Sequence, residues 1–274
     1  MGCGSQPSGG TAPQIGQIWA DEAGPEDAPL IALVHGSMDR STGLLRLSRR
    51  LDDRWRVLRY DRRGYGRSLP HDGPYSMDHQ VADLVALLAG RPAVILGHSY
   101  GGNVALATAA RHPELVAALA LYETPLSWEP WWPGATVGST ALAAPGGPPE
   151  AAERFMRSFI GDDAWEALPD KTRVTRRREG IAMVCELGDV RDTPPWHESA
   201  IACPVVLGYG ANGAAHHAAG MRHLCELLTG TTLVEVPDAD HRAPHDRPTA
   251  IAEMLVDPAI RAAGQPWTDA LSLA

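Results

Sequence analysis

Short apolar runs recur along the chain, and stretches whose apolar positions return every three or four residues lie between them. Leu30 to Val34, Arg56 to Tyr60, Pro92 to Leu96, Val116 to Tyr122, Pro204 to Tyr209 and Thr232 to Val236 read as strands, and Gln14 to Ala20 as a first edge strand. Several of them are apolar at every position, which is the pattern of strands covered on both faces. The stretches Leu44 to Leu51, Ser76 to Leu88, Gly101 to Arg111, Ala215 to Leu228 and Pro248 to Leu255 read as amphipathic helices. Apolar strands alternating with such helices predict an α/β fold with a largely parallel sheet and helices on both faces.

The alternation stops between Pro125 and Ile201. This segment opens with an aromatic cluster, Trp128, Trp131 and Trp132, passes through a Gly/Pro-rich stretch and then shows helical signals over Pro149 to Ile160 and Thr172 to Leu187. The expected organisation is a disordered tail over 1–13, a core made of 14–124 and 202–274, and a helical cap over 125–201. Bulky aromatics where the chain leaves the sheet would form an apolar wall for a substrate, so all three tryptophans are candidate pocket residues.

The 274 residues carry a net charge of -9, with 24 Lys and Arg against 33 Asp and Glu. That balance argues against a nucleic-acid or anionic-membrane partner, which usually requires a basic surface. No apolar run approaches the length of a membrane span. The first dozen residues lack the apolar segment of a signal peptide. Cys3, Cys185, Cys203 and Cys225 have no metal or disulfide spacing. Buried free thiols in a reducing, cytoplasmic compartment are expected. The abundance of Ala, Gly and Pro and the single Lys171 suggest a GC-rich bacterial source.

Chemistry concentrates at Gly97-His98-Ser99-Tyr100-Gly101, a G-x-S-x-G motif between a predicted strand and a predicted helix. A serine there sits on a sharp turn with its hydroxyl lifted off the sheet end, which suits a nucleophile. The amide of the following residue, Tyr100, lies at the helix start and can stabilise an oxyanion. A serine nucleophile also requires a base and an acid that orients it.

With His35-Gly36-Ser37, with Tyr60-Asp61-Arg62-Arg63-Gly64-Tyr65-Gly66-Arg67-Ser68 and with Asp240-His241, the elbow motif makes residues 14 to 260 resemble a capped serine hydrolase of the α/β-hydrolase superfamily. The resemblance implies an eight-stranded, mostly parallel sheet, with the insertion between its sixth and seventh strands. It implies His241 as base, with His245 the competitor, and the Ser37 amide as second oxyanion donor beside Tyr100. It also implies a structural role for His35, Asp61 and the arginines beside it.

The acid departs from the common pattern. The stretch Gly210-Ala211-Asn212-Gly213 has a glycine where most relatives carry the aspartate. Either the triad is lost, or the acid has moved to Glu123 at the end of the sixth strand, as in some relatives. Glu123 preserves the order nucleophile, acid, base and is the candidate. His216, His217 and His223 are expected to face solvent rather than hold a metal, and Arg176-Arg177-Arg178 to form a solvated face.

The implied activity is cofactor-free and metal-free cleavage of a small, mostly apolar ester through an acyl-enzyme. A lactonase, thioesterase, carbon–carbon bond hydrolase or perhydrolase would use the same residues. A non-catalytic ligand-binding protein on this fold is the alternative of another class. The oligomeric state is not legible.

Overall fold

The computed structural model describes residues 17–265 and 267, except 144 and 192. The expected tail over 1–13 lies outside the described residues. Strands β1 (Ala20–Ala23), β2 (Leu30–Val34), β3 (Arg56–Tyr60), β4 (Ala93–His98), β5 (Val116–Tyr122), β6 (Val205–Gly210) and β7 (Thr231–Val236) form one sheet in the order β1-β3-β2-β4-β5-β6-β7. Only β1 runs antiparallel, paired with β3. Among the described residues the sheet has seven strands rather than the expected eight. The edge strand expected over Gln14 to Ala20 begins at Ala20 instead.

Helices α1 (Leu45–Leu51), α2 (Met77–Leu88) and α3 (Tyr100–Arg111) follow β2, β3 and β4. Between β5 and β6 lie α4 (Val137–Leu142), α5 (Pro148–Ile160), α6 (Asp162–Glu166), α7 (Asp170–Arg178) and α8 (Gly180–Asp189). The chain closes with α9 (Ala215–Leu227), α10 (Ala243–Asp246), α11 (Pro248–Ile251) and α12 (Asp257–Ala263).

Strands β2, β4 and β5 are buried over almost their whole length, so both sheet faces carry cores. Leu84, Val104 and Leu224 from α2, α3 and α9 pack on one face. Leu47, Ile251 and Ile260 from α1, α11 and α12 pack on the other. A third cluster joins Phe155, Met156, Trp165 and Met183 of the inserted helices to Met38, Tyr65 and Tyr75 of the body. The insertion is therefore docked through its own apolar interface, whose burial is its main adhesive force.

Two helices depart from the sequence reading for local reasons. The helix expected over Thr172 to Leu187 is split into α7 and α8. At the junction Gly180 lies so close to α5 that a Cβ there would stand 2.0 Å from the Pro148 carbonyl oxygen. Glu179 beside it is fully buried and turned toward the body. The helix starting at Pro248 widens into a π turn over Ala252–Val256 before α12. Pro258 in the next turn has no N–H to donate, and the wider turn absorbs the missing bond.

Candidate active site

Strand order reverses between β2 and β4, which lie side by side while their neighbours β3 and β5 diverge. A crevice opens at the C-terminal ends of the strands at such a point. Val34 of β2 pairs with Gly97 of β4, and His98 pairs with Tyr122 of β5. The residues that follow these strands, Gly36-Ser37, Ser99 and Glu123, therefore emerge together. Met38, Ser99 and Glu123 all take positive φ, at 56°, 53° and 49°. Non-glycine residues pay for that conformation, and such strain concentrates where geometry is functional.

The glycines around Ser99 are dictated by close approach. A Cβ on Gly36 would lie 2.9 Å from Ser99 Cβ, and one on Gly101 would lie 2.2 Å from the Val34 carbonyl oxygen. Ser99 caps α3, so the Tyr100 amide belongs to the first helical turn, whose N–H groups have no intrahelical acceptor.

Glu123 is fully buried. Its Oε1 accepts from the Gly210 amide at 2.9 Å, and its Oε2 accepts from His241 Nδ1 at 2.6 Å. With Nδ1 committed as donor, His241 Nε2 is left as the basic nitrogen, and His241 and Ser99 line the same cavity. Gly213 explains why the carboxylate comes from β5. A Cβ at Gly213 would sit 2.7 Å from Glu123 Oε1, so an aspartate there and Glu123 compete for one space. The loop before His241 is held by the body. Tyr122 Oη donates to the Asp240 carbonyl at 2.7 Å, and His98 Nε2 donates to the His241 carbonyl at 2.9 Å. The Asp240 carboxylate accepts from the Arg242 amide at 2.8 Å.

His217 contradicts the solvent-facing expectation. Its ring stacks on His241 at 4.5 Å and 16° between planes, and its Nε2 lies 3.9 Å from Glu123 Oε2. Burial, with the adjacent His241 second, pushes its pKa well below the ordinary value, so it stays neutral. His216 borders the same cavity and His223 packs against Trp131. A signal was present, because residues 213–217 directly follow the C-terminal end of β6. The set Glu123, His217 and His241, and the set Asp39, His98 and His245, each bring three ligand-type atoms within 4.8 Å. The parallel rings of the first set cannot aim two lone pairs at one ion. In the second, His245 Nε2 is already bound to Asp39 Oδ2 at 2.9 Å.

The loop carrying Ser37 is anchored by Arg62. This guanidinium donates to the His35 carbonyl at 2.9 Å, to the Gly36 carbonyl at 3.1 Å and to Glu186 of α8 at 2.7 Å. His35 Nδ1 donates to the Gly36 carbonyl and its Nε2 accepts from the Arg62 amide, the structural role expected of it. Asp61 accepts from the Ser41 and Arg67 amides.

Two cavities meet at Ser37, Ser99, Phe155, Phe159, His241 and Arg242. The first, of about 410 Å³, runs under the inserted helices past Trp132, Val137, Leu142 and Leu187. The second, of about 340 Å³, runs past Met38, Met156, Ile160 and Arg176. Of the three candidate tryptophans only Trp132 borders either of these two cavities. Trp128 packs edge-on against Trp196 at 5.6 Å, and Trp131 is 42% exposed against His223. Phe155 and Phe159, one turn apart on α5, supply the aromatic wall instead. The cysteines also differ from expectation: Cys185 is exposed and Cys203 and Cys225 are half-buried, all three free. No helix among the described residues is long and apolar enough to cross a membrane.

The sequence matches the model described as "Alpha/beta hydrolase family" over residues 31–254. It is similar to a pimeloyl-[acyl-carrier protein] methyl ester esterase of Chromobacterium violaceum, with 30% identity over 78% of this chain and 87% of that one. Among solved structures it is similar to the enol-lactonase from Burkholderia xenovorans LB400, with TM-score 0.68, 25% identity, and coverage of 88% and 95% of the two chains. A thermophilic esterase from Thermogutta terrifontis shares the fold at TM-score 0.68 and 22% identity, over 90% and 93% of the two chains.

Proposed function

The chain belongs to the alpha/beta hydrolase family, and on that premise we propose that it is a serine hydrolase acting on a carboxylic ester through an acyl-enzyme. One observation carries the reading: a buried carboxylate holds His241 by Nδ1 at 2.6 Å beside a serine on a strained elbow. Ser99 Oγ attacks the ester carbonyl while His241 Nε2 takes its proton. Glu123 holds the imidazole in that tautomer and stabilises the imidazolium. The amides of Ser37 and Tyr100 receive the charge that develops on the carbonyl oxygen, at a place where preorganised donors are worth most. His241 then protonates the leaving alcohol, and water attacks the acyl-enzyme by the same route in reverse.

In this reading α4 to α8 form a cap that shields the acyl-enzyme, and Trp132, Phe155 and Phe159 line the substrate's path. A small-molecule ester as substrate agrees with the esterase-named relative. A reducing, cytoplasmic setting is part of the reading, supported by the three free thiols. The test is a fluorophosphonate probe together with chromogenic esters of graded acyl length. The expected result is a single adduct on Ser99 and turnover abolished by Ser99→Ala. Near-wild-type turnover in Ser99→Ala would overturn the mechanism, and a missing adduct would favour the ligand-binding alternative.

A further inference from the structure

The second cavity carries a charge that its surroundings do not explain. The chain has a net charge of -9, yet Arg176, Arg242 and His245 border this cavity against one carboxylate, Asp39. Asp39 is committed to His245 at 2.9 Å. Burial pulls the His245 pKa down, but the Asp39 carboxylate outweighs it and holds it above the ordinary value, so these two groups answer each other. Arg176 is different. It donates to the Met38 carbonyl and to Glu179, each at 3.0 Å, and the same carboxylate already receives Arg40 at 2.8 Å. Glu179 is fully buried between them, and among the described residues neither guanidinium pairs with a second carboxylate. Two cations share one anion, which leaves one positive charge beside the cavity. Arg242 adds a second, held only loosely by the half-exposed Asp246 at 3.3 Å.

Much of the remaining wall is apolar, with Ser37, Thr42 and His98 as its further polar members. Met38, Phe155, Met156, Phe159 and Ile160 line the same cavity as Ser99, Arg176 and Arg242. A cavity that holds a nucleophile, a largely apolar wall and a guanidinium that shares its one carboxylate with a second arginine is complementary to an alkyl or aryl stem ending in a carboxylate. The first cavity, bordered by Trp132, Val137, Leu142 and Leu187 and also by Arg191, Asp240 and the shared Arg242, takes the other half of the molecule. We infer that the second cavity is a subsite for a carboxylate-bearing arm of the ester, read by Arg176 with Arg242 beside it. The inference rests on the serine-hydrolase reading and narrows its substrate to esters with two substantial arms, one of them anionic.

The experiment compares two matched pairs of esters on the full chain. Phenyl hexanoate and monophenyl adipate differ by charge on the acyl arm. The butyrates of 4-ethylphenol and 4-(carboxymethyl)phenol differ by charge on the leaving arm. In one of the two pairs the charged member should be preferred roughly tenfold in kcat/KM, the effect lying mostly in KM and shrinking with added salt. Arg176→Gln should bring that ratio near one, Arg176→Lys should keep part of it, and Arg242→Gln should lower it. Melting curves separate this from loss of fold. Preference for the neutral member of both pairs overturns the subsite, as does a preference that survives both glutamine variants. If Ser99 forms the fluorophosphonate adduct while either result holds, or while none of the four esters turns over, the subsite alone is wrong. If the adduct is also missing, the parent reading falls and the subsite with it.

Discussion

The molecule contains two carboxylate–imidazole pairs within one cluster of rings, Glu123–His241 and Asp39–His245, bridged by His98. They differ in which nitrogen is engaged. Glu123 takes His241 by Nδ1, which leaves Nε2 toward the cavity that Ser99 borders. Asp39 takes His245 by Nε2, the nitrogen that a serine would need. In the proposed mechanism the first pair accepts and returns a proton. The second is a strut that ties the loop after β2 to the segment after β7. The same two chemical groups acquire opposite roles from ring orientation alone, a choice that sequence spacing between His241 and His245 does not encode.

The largest break in that comparison should come from the reactive pair. Glu123→Gln should lower kcat by about 10²- to 10⁴-fold, because it removes the charge facing the imidazolium and disturbs the tautomer. Steady-state kinetics with a chromogenic ester measures it, and a healthy Glu123→Gln would return the acid to an unassigned residue. The clash at Gly213 sharpens the point: the alternative acid position can be used only when Glu123 is shortened. Glu123→Ala with Gly213→Asp should recover roughly tenfold or more over Glu123→Ala, whereas Gly213→Asp alone should impair the enzyme.

A smaller effect should follow from the neutral ring on His241. In His217→Ala the stacked face is lost and Glu123 gains water, and kcat should fall roughly tenfold. His217→Phe keeps the flat face and should remain within about threefold of wild type. Equal losses in both variants would mean that the imidazole nitrogens of His217 matter and the stack does not.

The strut should show in stability rather than in chemistry. His245 has a folded pKa above its ordinary value of 6.5, so its contribution is fully present below that value. It is lost as pH rises through the raised pKa. Asp39 is the mirror case: burial raises its pKa, but His245 outweighs it and holds the carboxyl below its ordinary value of 3.8. Its contribution is present above that pH and fades as pH falls through the lowered pKa. The pair stabilises the fold between these limits. The melting temperature of His245→Gln should lie furthest below wild type near pH 6 and converge with it as the solution becomes alkaline. A constant gap across the alkaline range would mean that packing, not charge, makes the strut. Least affected should be Asp240→Asn, within about threefold in kcat/KM, because its carboxylate binds the exposed Arg242 amide and not the His241 ring.

Much was legible in the residues alone because it depends on local periodicity. Six apolar runs fell within a residue or two of β2 to β7, and Val116 to Tyr122 matched at both ends. The elbow at Ser99 could be read from its glycines, since strand, turn and helix are contiguous there. What sequence could not supply were relations across the fold. The edge strand Ala20–Ala23, with two acids between two alanines, carries little apolar signal of its own and exists by pairing with β3. The helix break at Gly180 exists because α5 passes beneath it. Trp128 and Trp131 look like pocket aromatics by proximity to Glu123, yet their rings turn toward Trp196 and His223, and Phe159 from 36 residues later takes the wall.

By itself, then, the sequence determined the α/β class and the strand order along the chain, and it pointed to Ser99, Glu123 and His241 as candidates. The first two are written in periodicity, while the candidates come from the Ser99 motif and from what the family resemblance implies. Only the tertiary structure decided which nitrogen of each histidine meets a carboxylate, that His217 lies over His241, and that Arg40 and Arg176 share one buried Glu179. Those facts depend on where residues tens of positions apart are brought within a few ångströms, and burial then makes each unpaired charge or donor consequential.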